Sequence, residues 1–171
     1  SMTGDAILQS RQALNALAEC LGDEDRVQVL RFGSSTVPMF RRPLKGTLRV
    51  SEALQSLADT VDSDLGGTEI GHALDSALDA LNGLESQCRS QAIILVTDGA
   101  VQPQELIVAK ARAADAGIRI FVVAVGSSAG ADVLAPLAES TRAVLERAVP
   151  AEPIDACVMR QVRRARETVP L

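Results

Sequence analysis

The chain is 171 residues long, carries a formal charge of −5, and is 47% apolar and 23% charged. That length suits one domain with a substantial core, and that balance excludes a disordered or fibrous class. Acidity argues against nucleic-acid binding by the domain as a whole, and an aromatic fraction of 2%, with neither Trp nor Tyr, excludes base-stacking platforms and aromatic-lined cation cages.

In chain order, AILQSRQALNALAECL is a helix by the spacing of Ile7, Leu14, Leu17 and Leu21, and the GDED after it provides a stop. RVQVLRFG reads as a strand with Val27, Val29 and Leu30 inward, and TVPMF as a short partner that Pro38 confines to an edge. VSEALQSLADTV, with Leu54, Leu57 and Val61, and TEIGHALDSALDALNGL, with Ile70, Leu74, Leu78 and Leu81, are amphipathic helices. QAIILVT is a nearly continuous apolar run, as expected of a strand covered on both faces in a parallel sheet. A helix from about Gln104 to Ala116 follows, ended by Gly117, and IRIFVVAVG is a second buried strand. ADVLAPLAES reads as a short helix, AVLERA as an edge strand, and IDACVMRQVRRARE as a closing helix with Ile154, Val158, Val162 and Ala165 on one side. Strands alternating with helices predict α/β architecture with a doubly wound, mostly parallel sheet. The expected division is a domain over residues 1–150 and a C-terminal helix or extension over 151–171, packing on the domain or leading out of it. Arg160, Arg163, Arg164 and Arg166 of that helix read as a solvated face.

Three cysteines, Cys20, Cys88 and Cys157, show no CxxC spacing and read as small packing residues. His72 is the sole histidine, lies off the apolar stripe of its helix, and is expected to be exposed rather than a metal ligand. No apolar run approaches the ~18 residues a membrane span needs, so the expectation is a soluble fragment.

Three polar features fall on loops that lead into helices: SMTGD at 1–5, LGGTE at 65–69 and TDG at 97–99. Taken singly each has an ordinary explanation. Thr68 is placed to cap a helix with Glu69 in its first turn, Asp-Gly is a common turn pair, and Asp5 suits the positive end of the first helix. Taken together they offer hydroxyls and a carboxylate at the carboxyl ends of parallel strands, where open α/β sheets bind ligands. Oxygen donors of this kind suit a hard divalent cation such as Mg²⁺ or Mn²⁺, which needs few protein carboxylates and leaves a coordination position for an acidic group from outside.

The order SMTGD, RFGSS, DLGGTEIGHAL, LVTDGAV, GIRIFVVAVG resembles a von Willebrand factor A (vWA) domain over essentially residues 1–150. The resemblance implies a metal ion-dependent adhesion site, with Thr68 matching the family's threonine, Asp98 its second aspartate, and Ser1 the last serine of its DxSxS motif. It implies a protein ligand bound through an acidic residue, with no catalytic group. Within the family, RFGSS, DLGGTE, TDGAV and the C-terminal helix are most similar to bacterial proteins in which this domain follows a vault/inter-α-trypsin (VIT) domain. The resemblance also places a central first strand, with the Asp and first Ser of DxSxS, ahead of Ser1. This chain is therefore expected to bind metal weakly by itself and to be open to strand exchange or dimerisation. Two other classes stand beside the binding module. One is a metal-independent scaffold, in which Thr68 and Asp98 are structural. The other is a phosphotransfer-type enzyme using Asp98, against which stand the missing P-loop and GxGxxG.

Overall fold

The computed structural model describes residues 4–22, 25–32, 36–38, 40, 44–45, 52–55, 70–83, 91–97, 101–125, 131–148 and 153–167. Its elements in order are α1 (Gly4–Cys20), β1 (Arg26–Val27), β2 (Leu30–Phe32), β3 (Thr36–Pro38), β4 (Leu44–Lys45), a helical stretch α2 at 52–55, α3 (Ile70–Asn82), β5 (Ala92–Thr97), a 3₁₀ turn (Pro103–Leu106), α4 (Ile107–Ala116), β6 (Arg119–Val125), α5 (Ala131–Ser140), β7 (Leu145–Ala148) and α6 (Ile154–Arg166).

The two continuous apolar runs form the parallel pair β5–β6, in register from Ala92 beside Arg119 to Thr97 beside Ala124. β7 adds to the far side of β6, again parallel, from Val122 beside Leu145 to Val125 beside Ala148. Helices cover both faces, which is why these strands need no polar alternation. Ile70, Leu74 and Leu78 of α3, Ala109 and Ala113 of α4, and Leu134 and Leu137 of α5 join Leu95, Ile120 and Val122 in one core. Ala13 and Ala16 of α1 join Ile154, Val158 and Val162 of α6 and Val123 of β6 in the other. The architecture is the doubly wound α/β sheet that the element order predicts.

The stretch RVQVLRFG departs from the expected single strand. It splits at Gln28 into β1, antiparallel to β4, and β2, antiparallel to β3. The Gln28 amide causes the break: its Oε1 accepts from the Val29 N–H at 2.9 Å and the Phe40 N–H at 3.2 Å, while its Nε2 donates to the Phe40 carbonyl at 2.9 Å. A side chain thus takes the partners a continuous strand would bond through its backbone. The second departure is at α4, which begins at Ile107 rather than near Gln104, because Pro103 opens a separate 3₁₀ turn. Its end falls as expected: Gly117 is left-handed with φ 70°, and its N–H donates to the Ala114 carbonyl at 3.3 Å.

Helix α6 is fastened to the domain at three places. Its fully buried Gln161 donates to the carbonyls of Val122 (3.0 Å) and Val144 (2.9 Å). Glu146 of β7 accepts from Arg160 at 2.8 and 2.5 Å and from Arg164 at 2.7 Å. At the helix end, Arg119, whose guanidinium sits 5.2 Å above the Phe121 ring, donates to the carbonyls of Ala165 (3.0 Å) and Glu167 (2.5 Å). Arg166 in turn donates to the Cys20 carbonyl and to Asp25, which also accepts from the Gly22 N–H at 2.8 Å. Three of the four arginines expected on a solvated face are therefore engaged with the domain, and Arg163 is exposed.

Two outcomes are expected. Gln161→Leu leaves buried carbonyls short of a donor and should destabilise the fold by about 1–3 kcal/mol in urea denaturation. Burial pushes the Asp25 carboxyl up, but the Arg166 hydrogen bond, the Gly22 N–H and the Arg166 charge together hold it below its ordinary value. A carboxyl depressed on folding contributes stability that is complete above its unfolded pKa and lost as pH falls through the folded one. Acid unfolding monitored by circular dichroism should accordingly show a shallower decline below the ordinary carboxylate range for Asp25→Asn than for the unaltered chain.

Candidate functional site at the carboxyl ends of the strands

The carboxyl end of α3 is tied to the start of β5, and the two elements share one core. The anchor is Gln91, directly before β5, whose Nε2 donates to the Leu81 carbonyl near the end of α3 at 2.9 Å. The 13 residues of α3 rise about 20 Å and the 6 residues of β5 about as far. Near its other end α3 meets the 3₁₀ turn instead. Gly71, in the first turn of α3, lies so close to the 3₁₀ turn after β5 that a Cβ there would fall inside the van der Waals envelope of the Glu105 carbonyl oxygen, 3.4 Å from its carbonyl carbon and 3.6 Å from its Cβ.

Ser1, Thr68 and Asp98, the three expected ligands, lie outside the described residues. The elements on either side of two of them are described. Thr68 stands two positions before Ile70, where α3 begins, and Asp98 follows Thr97, where β5 ends. Gly71 was not among the residues singled out from sequence; the only available signal was a glycine in the first turn of an otherwise strong helix, where it costs roughly 1 kcal/mol against alanine.

Elsewhere the described residues offer little chemistry. They contain no group of three or more His, Cys, Asp or Glu side chains able to hold a metal ion. His72 is exposed, as expected. Burial pushes the Cys20 thiol up, against the lowering effect of Arg166, so this cysteine is not an activated nucleophile. An open cavity of about 330 Å³ lies between the far ends of α3 and α4, lined by Asn82, Arg112 and Asp115. Arg112 is already committed there, to Asp79 at 2.6 Å and Asp75 at 3.2 Å. No helix among the described residues is long and apolar enough to cross a membrane.

The profile of the von Willebrand factor type A domain matches residues 1–146. The chain belongs to the von Willebrand factor type A family. A vWA domain-containing protein of Dictyostelium discoideum is 23% identical over 146 residues, covering 85% of this chain and 16% of that protein. The chain thus spans about a sixth of the length of that relative. A vWA protein from Catenulispora acidiphila superposes with a TM-score of 0.78 at 16% identity, over 94% of this chain and 37% of its own. Manganese-loaded TRAP protein of Plasmodium vivax superposes with a TM-score of 0.63 at 19% identity, over 90% of this chain and 64% of its own. At these identities the likeness establishes the vWA fold.

In this vWA domain, Gly71→Ala should force α3 and the Pro103–Leu106 turn apart, because the obstructing atom is backbone and cannot rotate away. The expected cost is about 1–3 kcal/mol in thermal or urea unfolding, the range for overpacked sites.

Proposed function

We propose that this vWA domain is a protein-binding module of a larger protein, and that it takes an acidic side chain of its partner through a divalent cation, Mg²⁺ or Mn²⁺, at the carboxyl edge of the sheet. The donor set fits that ion. Ser1 and Thr68 bring hydroxyls and Asp98 a carboxylate, all hard oxygen ligands, with no sulfur or imidazole to favour zinc. When bound, the cation supplies a positively charged coordination position for an outside carboxylate. The chain's own residues orient it. Thr68 stands just ahead of the positive end of α3, and Asp98 is the one negative charge of the set.

The observation that supports this reading is the pairing of α3 and β5, held at one end by Gln91 and Leu81 and closed at the other by Gly71 and Glu105. That pairing is consistent with a site shared by the residues just ahead of α3 and just after β5. The family is one of interaction modules, and the motif text resembles that of its VIT-linked members. A single carboxylate offsets little of a doubly charged ion's dehydration, so Ser1, Thr68 and Asp98 by themselves would hold the ion weakly.

Calorimetric titration with MnCl₂, of this chain and of a longer version carrying the residues ahead of Ser1, tests the proposal. Heat of binding is expected in both, stronger in the longer chain, and abolished by Thr68→Ala and by Asp98→Ala. Absence of heat in both would overturn the metal-dependent reading in favour of a metal-independent assembly domain.

A further inference from the structure

The open cavity of about 330 Å³ at the far ends of α3 and α4 plays no part in the proposed metal site. Its floor is apolar, since Leu78 and Ile118 are each only 2% exposed, and its rim is polar, formed by Asn82, Arg112 and Asp115 with the backbone at Ala116. Two helices end here. Because α3 stops at Asn82 and α4 at Ala116, the cavity lies at the negative poles of two helix dipoles. The cap of α4 uses the carbonyls of Ala113 and Ala114, which accept from the N–H groups of Ile118 at 2.9 Å and Gly117 at 3.3 Å. Those of Asp115 and Ala116 are the last of the helix and carry its negative charge. Arg112 does not reverse the sign. Its guanidinium is held by Asp79 at 2.6 Å and Asp75 at 3.2 Å, so the three carboxylates of Asp75, Asp79 and Asp115 stand against one cation. Arg119, next to Ile118, donates instead to the carbonyls at the end of α6.

We infer that this cavity takes a lysine side chain from a protein partner. The charge of the rim selects a cation, and the apolar floor selects one carried on a hydrocarbon stem. The methylenes lie on Leu78 and Ile118, while the ammonium meets Asp115 and the terminal carbonyls of α4. An anion meets the wrong sign there, and a purely apolar side chain gains nothing from the rim. Asn82 stands twelve positions along α3 from Ile70, about 18 Å away, so this surface is separate from the edge where α3 begins and does not rest on the metal-dependent reading.

The test is a titration of the ¹⁵N-labelled chain with the peptide acetyl-Gly-Lys-Gly-amide, followed in ¹H–¹⁵N correlation spectra at low salt. Saturable shifts are expected at the amides of Asn82, Asp115, Ala116 and Ile118, fading as salt is added. A peptide with norleucine in place of lysine keeps the stem and loses the charge, and should bind more weakly by about threefold or more. Asp115→Asn should weaken binding of the lysine peptide by about threefold, the scale of an exposed ion pair. Ala116→Leu fills the cavity from an exposed position with every charge left in place, and should abolish the shifts. Asp132→Asn removes a carboxylate from α5, away from the cavity, and should leave the affinity unchanged. Shifts absent from the cavity, equal binding of the norleucine peptide, or binding retained in Asp115→Asn or in Ala116→Leu overturns the inference. An equal loss in Asp132→Asn overturns it in favour of general attraction to an acidic chain, and the same shifts with CaCl₂ at lower concentration overturn it in favour of a metal ion.

Discussion

Helix α3 is held at both of its ends, by the Gln91 amide on the Leu81 carbonyl at one and by the close approach of Gly71 to the Glu105 carbonyl at the other. The apolar stripe of Ile70, Leu74 and Leu78 holds the helix on Leu95 and its neighbours, while Gln91 and Gly71 set its position along the strand. The packing is hydrophobic and non-directional; the register comes from one hydrogen bond and one missing methyl group.

The other face of the sheet is secured differently. Small residues of α1, among them Ala13 and Ala16, allow the close contact with α6, but little apolar surface comes from alanine. Polar fastenings add direction to that contact. Gln161 reaches through to the carbonyls of Val122 and Val144, and Glu146 collects Arg160 and Arg164, so α6 is tied to both β6 and β7. Arg166 extends the tie to the carboxyl end of α1 and the turn at Asp25. Surface ion pairs contribute little individually. Here Glu146 is largely buried and bridges two arginines, a geometry that fixes the angle of α6 more than it adds to stability.

Most of this architecture was legible because hydrophobic period is a local property. The runs AIILVT and RIFVVAV declare buried strands, the helical stripes declare which faces pack, and Gly117 marks the end of α4 without reference to anything distant. What sequence did not reveal depends on partners far along the chain. Gln28 breaks its strand by bonding Phe40, twelve positions away, and nothing in RVQVLRFG distinguishes that glutamine from an ordinary exposed one. The arginines of α6 looked solvated because their acids sit on β7 and beside β1, on elements whose adjacency follows only from the assembled sheet. The close approach of Gly71 to the Glu105 carbonyl was likewise hidden, since a glycine in a helix gives no sign of what it approaches.

The ligand edge of an open α/β sheet has to meet two demands that compete within a single element. The residues facing a ligand must be polar and must sit on loops, where unpaired groups can reach outward, yet loops alone hold geometry poorly. In this chain the motif residues Thr68 and Asp98 stand, in sequence, immediately beside the ends of a helix and a strand that share one core. Thr97 is buried and paired in register with Ala124 one position before Asp98, and Ile70 is fully buried two positions after Thr68. In sequence Thr68 and Asp98 are thus one or two positions from buried residues. A loop residue tethered that closely to a buried anchor loses less entropy when it captures a ligand. By that argument the proposed function would depend as well on Thr97 and Ile70, which never touch a ligand, because the anchors decide where their neighbours can stand.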